Sequence, residues 1–560
     1  MKRLYSMLAG ATLVLLHLAT VVSAAEPEGG LSPAAILNPV PGSWPTYAGD
    51  YSARRYSPLQ QINQSNVKNL NLAWDTRVVA GSGDRGPHPV LSAGATDADR
   101  YASLSASIRA SMLQVDGRLY VSTPDNAWAI DARDGRVLWH FTWKSRGGTH
   151  IGNRGLGMWG NYLYMETPDD YLVSLDARTG KERWHVEISS FEEQYFSTPA
   201  PIVVGNHVLA GTGNDLDAPG FLQSFDPETG KRQWIFYTVP MKAGDPGLET
   251  WKNLDAASHG GGNAWVPGAY DPETNLYIFG TGNPTPSYFP VPRGNGAALF
   301  TCALVAVNVD TGKMAWYYQT SPNDTHDWDS AQTPILADIE FGGRTRKVAM
   351  TAARNGYFFV VDRTTGEHLV TSKFSRTANW AEPKLNARGQ PVRIPAKDHH
   401  ASGALVSNAN QGAANWPPAS YSPDYGLFYV PVTETWAMYY TMETDPRGAM
   451  GLGGKEELQV GASAFLQAID PKTGQTVWSH KYDAVGLGYV TPNGILTTAG
   501  KLLFAGDVGG NLVARDPANG KPLWHARIGN VSNAPGTYML DGHQYIVVAA
   551  NDKIYSFRLN

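Results

Sequence analysis

Along most of the chain, apolar and polar residues alternate in short runs such as Leu119-Tyr120-Val121 and Tyr545-Ile546-Val547-Val548. A period of two predicts half-buried β-strands. Helical periodicity with capping signals is nearly absent. One phrase recurs: a strand ending in Asp, a Thr-Gly-like turn, and a second strand ending in Trp. It reads AIDARDGRVLW to Trp139, SLDARTGKERW to Trp184, SFDPETGKRQW to Trp234, AVNVDTGKMAW to Trp316 (with Asn308 in the Asp position), AIDPKTGQTVW to Trp478 and ARDPANGKPLW to Trp524. VVDRTTGEHLV, ending at Val370, is a degenerate copy, and NLAWDTR around Trp74 is the tail of another. In each phrase Asp can accept from the turn's N–H groups and Gly can take positive φ. The Trp is suited to packing between sheets. From Trp74 to Trp524 there are seven steps of about 64 residues. Radial repetition of four-stranded antiparallel sheets is a β-propeller. The pattern therefore predicts an all-β, eight-bladed propeller forming a single domain over residues 25–560. A parallel solenoid has shorter repeats.

The N-terminus departs from this pattern. Lys2 and Arg3 precede a mostly apolar run from Leu4 to Val22, and Val22-Ser23-Ala24 closes it with small residues. This is the form of a secretory signal peptide spanning residues 1–24. A membrane anchor is the alternative, since the run is near spanning length. No later stretch is as long and free of charge, so no integral membrane segment is expected after the signal is removed.

Composition narrows the function classes. The 560 residues include 59 Gly and 37 Pro, too few for a low-complexity chain. Cys302 is the only cysteine, so a disulfide scaffold and a CxxCH haem-attachment motif are both excluded for this chain. It sits in an apolar run and reads as a buried strand residue. The net charge of −5, with no long basic run, argues against a nucleic-acid partner. A GxGxxG match at Gly81–Gly86 is followed by Pro87 and Pro89, which obstruct the helix a dinucleotide site needs.

Several loops carry candidate chemistry. Ser321–Asp329 places Asp324, His326, Asp327, Trp328 and Asp329 together soon after a repeat ends. It is either a solvated acidic loop or a hard-cation site with a carboxylate general base. Gly211-Thr212-Gly213-Asn214-Asp215 and Gly280-Thr281-Gly282-Asn283 each follow a strand-like run. Alone each is an ordinary turn; with Asp329 they offer oxygen ligands suited to calcium. Arg354, in Ala353-Arg354-Asn355-Gly356, either faces solvent or grips a planar anion. Trp265 follows three glycines and either packs or stacks on a planar ligand.

In this order on this repeat, the loops resemble the PQQ-dependent alcohol dehydrogenases, quinoproteins of the methanol and ethanol dehydrogenase type. The resemblance runs from Trp44-Pro45-Thr46-Tyr47 and Arg55-Tyr56-Ser57-Pro58-Leu59 to the C-terminus, and here it points to a haem-free form. It implies an eight-bladed propeller holding PQQ and calcium near its axis. It implies that Asp329 is the catalytic aspartate and a metal ligand, with Asn283 and Asp215 as the other ligands, Asp215 standing where the family has glutamate. It implies that Arg354 is the quinone's cationic partner, that Trp265 lies under the ring, and that Asn263 stands where threonine is frequent. Arg154, in Asn153-Arg154-Gly155, would also bind the cofactor, with Thr198, Thr212, Gly213, Asn214 and Asn415 as further contacts.

There are departures from the family pattern. Gly148 and Thr149 replace its vicinal disulfide, Arg109 an acidic contact, and Pro492 a tryptophan. Ala331 stands where lanthanide-using relatives add an aspartate, which favours calcium. The expectation is a periplasmic dehydrogenase that oxidises an alcohol to an aldehyde or ketone by hydride transfer to PQQ and passes electrons to a cytochrome c. The long segment between Val370 and Trp478, including Ala449-Met450, would shape the substrate mouth. A dehydrogenase acting on sugars and a non-catalytic scaffold of the cell envelope are the competing readings.

Overall fold

The computed structural model describes residues 30–78, 107–148, 151–214, 217–441, 453–482 and 493–560, and all structural statements concern these. The leader, the Gly81–Gly86 motif, Thr149, Asp215, Ala449-Met450 and Pro492 lie outside the described residues.

Among the described residues the strands form eight sheets of four or five strands and one two-stranded hairpin, Ala381–Leu385 with Pro391–Arg393. Only two short α-helices accompany them, Pro33–Leu37 and Leu254–Ser258. The second sheet is representative: Leu113–Val115, Arg118–Thr123, Asn126–Asp131 and Val137–Thr142, hydrogen-bonded in sequence order and antiparallel. Its third strand is buried at nearly every position, whereas its outermost strand alternates between exposed and half-buried residues. An inner strand is sandwiched between neighbouring sheets; an edge strand turns one face to water. The first sheet pairs Leu70–Arg77 with Lys553–Leu559, so the two ends of the repeat array share one sheet.

The repeat phrase makes the contacts between sheets. In the turns, Asp176 accepts from the N–H groups of Arg178 and Thr179 at 3.0 and 2.8 Å, and Asp226 does the same for Glu228 and Thr229. The indole N–H of Trp74 donates to Ala132 O at 3.1 Å, Trp139 to Ala177 O at 3.0 Å, Trp234 to Val309 O at 2.7 Å, Trp316 to Arg363 O at 3.0 Å and Trp478 to Pro517 O at 2.9 Å. Each acceptor belongs to the next repeat's turn. The turn glycine is needed twice over. Gly180 has φ +70° and a Cβ there would lie 2.6 Å from the Trp139 ring; for Gly312 the values are +65° and 2.6 Å from Trp234. The degenerate copy keeps this geometry with a smaller side chain, for Gly474 packs on Val370 and Ser372. Trp524 meets Phe557 of the first sheet edge-on at 5.4 Å, which links the last sheet to the first. This radial chain of contacts is that of a β-propeller.

Arg55 locks the N-terminal segment onto the ring. It is fully buried and donates to Ile495 O, Tyr47 O and Pro535 O at 2.9, 3.1 and 2.6 Å. Cys302 is buried, but it lies one residue before the strand Ala303–Asn308, at φ +46°, rather than within it. Among the described residues no helix is long and apolar enough to cross a membrane.

Candidate functional site

The candidate residues come from loops that enter or leave the inner strands of successive sheets. Adjacent loops are tied together: Ser111 N donates to Arg154 O at 2.9 Å and Arg154 N to Thr198 O at 3.0 Å.

The Ser321–Asp329 loop is not a solvated acidic turn. Asp324, His326, Asp327, Trp328 and Asp329 are all buried. The Asp324 carboxylate accepts from the backbone N–H groups of His326 and Trp328 at 3.2 and 2.9 Å, folding the loop back on itself. Fully buried Arg293 staples it to the loop that carries Asn283. Its guanidinium donates to Asn323 Oδ1 and Asp324 O at 2.6 and 2.8 Å on one side, and to Pro286 O and Ser287 O at 2.8 and 3.2 Å on the other. Trp328 is fixed by its indole N–H on Ala409 O at 3.1 Å and by the stacked ring of His326 at 4.3 Å.

This framework holds the Asp329 carboxylate between donors and a cation. Oδ1 accepts from Asn283 N at 2.6 Å; Oδ2 accepts from the Trp265 indole N–H at 2.9 Å and pairs as an ion with the Arg354 guanidinium at 2.9 Å. A Cβ at position 282 would lie 2.9 Å from Asp329 Oδ1, so Gly282 lets the carboxylate approach the backbone. Burial pushes the Asp329 carboxyl above its ordinary range, while Arg354 and the Asn283 N–H pull it back. The result is a desolvated carboxylate held by one cation and two N–H groups, the arrangement of a general base kept in one orientation. The Asn283 side chain donates to Pro284 O at 3.0 Å and to Ser287 Oγ, which turns its amide nitrogen towards its own loop.

Trp265 is half-buried, and its indole does more than pack. The guanidinium carbons of Arg154 and Arg354 lie 4.6 and 5.2 Å from its ring centroid. Arg354 also donates to Asp327 O at 2.9 Å. Arg154 donates to Thr198 O at 3.1 Å, and its guanidinium lies 5.3 Å from the Trp416 ring. Burial, reinforced by the charges of Arg109 and Arg354, depresses the Arg154 guanidinium to about 9.

The remaining expected residues lie around this centre, and most of their side chains are engaged with protein. Thr198 donates to Trp265 O at 3.2 Å. Asn263 donates to Asn214 O at 2.7 Å, and Asn214 in turn donates to Glu193 O at 2.8 Å. Gly213 exchanges backbone hydrogen bonds with Phe196. Thr212 donates to buried Asp170 at 3.2 Å; that carboxyl also takes Ser189 and Ser197, and burial raises it to about 6. Asn415 donates to Gln411 O at 2.8 Å and accepts from Trp416 N at 2.7 Å. The structure thus unites Asp329, Asn283, Trp265, Arg354 and Arg154 directly, and Thr198, Asn263, Thr212, Gly213, Asn214 and Asn415 as their surround. Sequence reasoning passed over Arg293, Asp170 and Trp416. Trp416 had a signal, its adjacency to Asn415; the buried Arg293 had none.

Two comparisons decide the family. The family model described as "Glucose/ethanol/alcohol dehydrogenase, beta-propeller domain", for PQQ proteins, matches residues 44–397. A quinohemoprotein alcohol dehydrogenase, ADH-IIG of Pseudomonas putida, is 34% identical over 587 residues, covering 96% of this chain and 77% of the relative. The chain belongs to the PQQ-dependent alcohol dehydrogenase family. A second model, described as the outer membrane protein assembly factor BamB, matches residues 453–559. The solved structure of ADHIIG from Pseudomonas putida HK5 superposes on this quinoprotein with a TM-score of 0.83 at 31% identity, covering 96% of this chain and 83% of that one. A europium-containing methanol dehydrogenase superposes with a TM-score of 0.80 at 26% identity, covering 93% of this chain and 99% of that one. The relatives named here thus include quinohemoproteins, so the comparisons do not support the haem-free form that the resemblance suggested.

The residues present fit the family's cofactor. The buried Nε atoms of Arg154 and Arg354 have no hydrogen-bond partner, and their guanidiniums lie against the Trp265 ring. Unsatisfied donors over a flat aromatic platform suit a planar, anionic ligand.

Proposed function

We propose that this chain is a PQQ- and calcium-dependent enzyme that oxidises an alcohol to an aldehyde or ketone. The observation that carries the proposal is the Asp329 carboxylate, buried and held at once by Arg354, the Trp265 indole and Asn283 N. PQQ, when bound, supplies a quinone carbonyl that accepts hydride, and the metal polarises that carbonyl. Asp329, Asn283 and Asp215 would hold the metal, Trp265 would carry the ring, and Arg354 and Arg154 would meet its negative charge. Asp329 takes the hydroxyl proton of the alcohol at its carboxylate. Arg354 keeps that carboxylate ionised and oriented, and places a fixed cation where negative charge develops. The loop clamped by Arg293 keeps the base and the Asn283 backbone in register.

The proposal extends to the architecture and its setting. The eight sheets, chained from Trp74 to Trp524 and back to Phe557, are the eight blades of one propeller domain over residues 25–560. Residues 1–24 are a secretory signal, the mature protein is periplasmic, and electrons pass to a separate acceptor of the cytochrome c type. Support for a separate acceptor comes from the single cysteine, which leaves no CxxCH motif in this chain.

The test is turnover of a panel of primary and secondary alcohols with a dye acceptor, by protein loaded with PQQ and calcium, beside Asp329→Asn. Alcohol-dependent dye reduction lost in the variant is the expected result. A variant with near wild-type turnover would reject Asp329 as the base. Wild-type protein inactive on every alcohol but active on sugars would reassign the substrate.

A further inference from the structure

Three guanidiniums stand round two indoles in the centre of this molecule. Arg354 and Arg154 face Trp265; Arg154 also faces Trp416, and Arg109 lies 5.8 Å from the Trp416 ring centroid on its own side. Of the three, only Arg354 has carboxylate partners among the described residues, Asp329 at 2.9 Å and Asp327 at 4.0 Å. Among the described residues no acid pairs with Arg154 or Arg109. The nearby Tyr47 hydroxyl is held neutral by burial and so gives no counter-charge, while Arg109 and Arg354 both oppose the Arg154 charge. Burial alone acts on Arg109, and downward. The Arg109 stem lies in a cradle made by the next blade's loop: a Cβ on Gly152 would come within 3.1 Å of its Cδ.

Two like charges held close together and partly shielded from water, with no counter-ion among the described residues, are a standing cost to the fold. No hydrogen bond joins the Arg109 guanidinium to Trp416 or to Gly152. A half-buried charged side chain with no acid beside it among the described residues, next to a second cation whose Nε has no partner, is poised for an anion that the described residues do not themselves supply.

We propose that Arg109 is a cofactor-binding residue that grips a carboxylate of PQQ, a planar tricarboxylate, from the Trp416 side, so that charge supplies the retention that relatives draw from a covering disulfide. This inference rests on the function proposed above. Gly148 stands where the resemblance places the first cysteine of that disulfide, and no sulfur is available there. The same position that carries an acid in the family pattern carries a cation here. The two departures are therefore read as one exchange, in which an ionic grip takes the place of a covalent lid. The seat so formed takes three positive charges from Arg109, Arg154 and Arg354 and is offset on the Arg354 side by Asp327 and Asp329, so its unpaired positive end, Arg109 and Arg154, matches an anionic group better than a neutral quinone.

A purely structural arginine and an anion-binding one answer differently to removal. An arginine that packs the fold lowers both stability and binding when lost. An arginine held against another cation for a ligand's sake lowers binding but spares, or raises, the stability of the ligand-free protein. The experiment is calorimetric titration of PQQ, with calcium, into the full mature chain carrying Arg109→Gln, Arg109→Glu or Arg109→Lys, with thermal melting of each ligand-free protein. The expected result is affinity weakened about 10- to 100-fold in Arg109→Gln, more in Arg109→Glu and least in Arg109→Lys, where a point charge survives without the fork. The wild type should lose affinity with added salt more steeply than Arg109→Gln. Ligand-free melting of Arg109→Gln should be unchanged or higher. Wild-type protein that binds PQQ tightly beside an Arg109→Gln variant that binds equally well overturns the inference and leaves the proposed function standing. Loss of binding that tracks a lowered ligand-free melting point in all three variants assigns Arg109 to packing and overturns it as well. Wild-type protein that binds no PQQ, with or without calcium, rejects the proposed function itself, and this inference with it.

Discussion

The outer turns of the repeats and the central loops are built from the same residue types and use them in opposite ways. In an outer turn Asp176 or Asp226 accepts backbone N–H groups at the protein surface, a glycine makes room, and a tryptophan covers the glycine. At the centre Asp329 accepts Asn283 N, Gly282 makes room, and Trp265 donates to the carboxylate. What differs is water and charge. The outer aspartates are solvated and close a turn. Asp329 is buried beside a guanidinium, and burial raises its carboxyl. Residue type therefore does not separate scaffold from chemistry here; desolvation and the neighbouring cation do.

The sharpest break of that comparison is to remove the carboxylate from each region. Asp329→Ala should lower kcat/KM about 10³-fold or more, as expected for loss of a positioned base together with a metal ligand. Asp226→Ala should leave kcat/KM within about twofold, since the turn closes far from the chemistry. Steady-state kinetics of the PQQ- and calcium-loaded proteins decide it. Comparable losses in both variants would mean that the outer turns govern the centre and would collapse the distinction.

The tryptophans should divide in the reverse sense. Trp234 packs its ring on Gly312 and donates to Val309 O. Trp234 is half-buried, so Trp234→Ala should cost about 3 kcal/mol of stability, the low end for emptying an aromatic packing site, with kcat of the surviving folded enzyme little changed. Trp265 is equally half-buried, but Trp265→Phe keeps a ring in place, so it should cost about 1 kcal/mol or less of stability while weakening PQQ binding. Chemical denaturation paired with PQQ titration separates the two. Strong destabilisation by Trp265→Phe would make it one more packing tryptophan.

How far the sequence disclosed each region follows from the range of the interactions. The blades were legible because their information is local: Asp, Thr-Gly and Trp lie within one phrase, and the phrases end at or near a docking contact seen in the structure. Even the degenerate copy at Val370 was countable, because its own Asp362, Thr365 and Gly366 survived. At the centre, Asp329, Asn283 and Arg354 stood out from their loops as one of two readings each, and only the resemblance gave them definite roles. On composition alone the Ser321–Asp329 loop was as compatible with solvent exposure, and nothing local announced that Arg293 would bury its guanidinium between two loops. Its four partners lie both before and after it in the chain. A buried cation that bridges loops has no periodicity to betray it. Cys302 shows the same limit at short range: its burial could be read, its positive φ could not.

A pH profile probes the centre more gently. Burial holds the Asp329 carboxyl above its ordinary value. The base must be ionised to take a proton, so kcat/KM should fall as pH drops through the carboxyl's value in the loaded enzyme, approaching tenfold per pH unit on the acid side. Bound calcium opposes the effect of burial and draws that value down, so the acid limb should lie at higher pH in enzyme short of calcium. Arg354→Gln removes the cation that favours ionisation and should move the limb to higher pH, as well as lowering the plateau. A limb that does not move would mean that Arg354 does not set the ionisation of Asp329.

The smallest effect is the most discriminating, because it is one substitution made in two places. The turn phrase needs an acceptor, not a charge, and the protein already contains the experiment: Asn308 occupies the Asp position of one repeat and accepts from Thr311 N at 3.1 Å and from its hydroxyl at 2.9 Å. Asp226→Asn should accordingly cost no more than about 0.5 kcal/mol, against about 1 kcal/mol for Asp226→Ala, where the acceptor is lost altogether. At the centre the ordering should vanish. Asn at position 329 keeps an oxygen for Asn283 N but cannot take a proton, so Asp329→Asn should lose nearly as much activity as Asp329→Ala. Equilibrium unfolding of the outer pair and kinetics of the central pair give the two differences directly. If asparagine rescued activity relative to alanine at 329, Asp329 would be acting as a hydrogen-bond acceptor like its counterparts in the turns, and the base would have to be sought elsewhere.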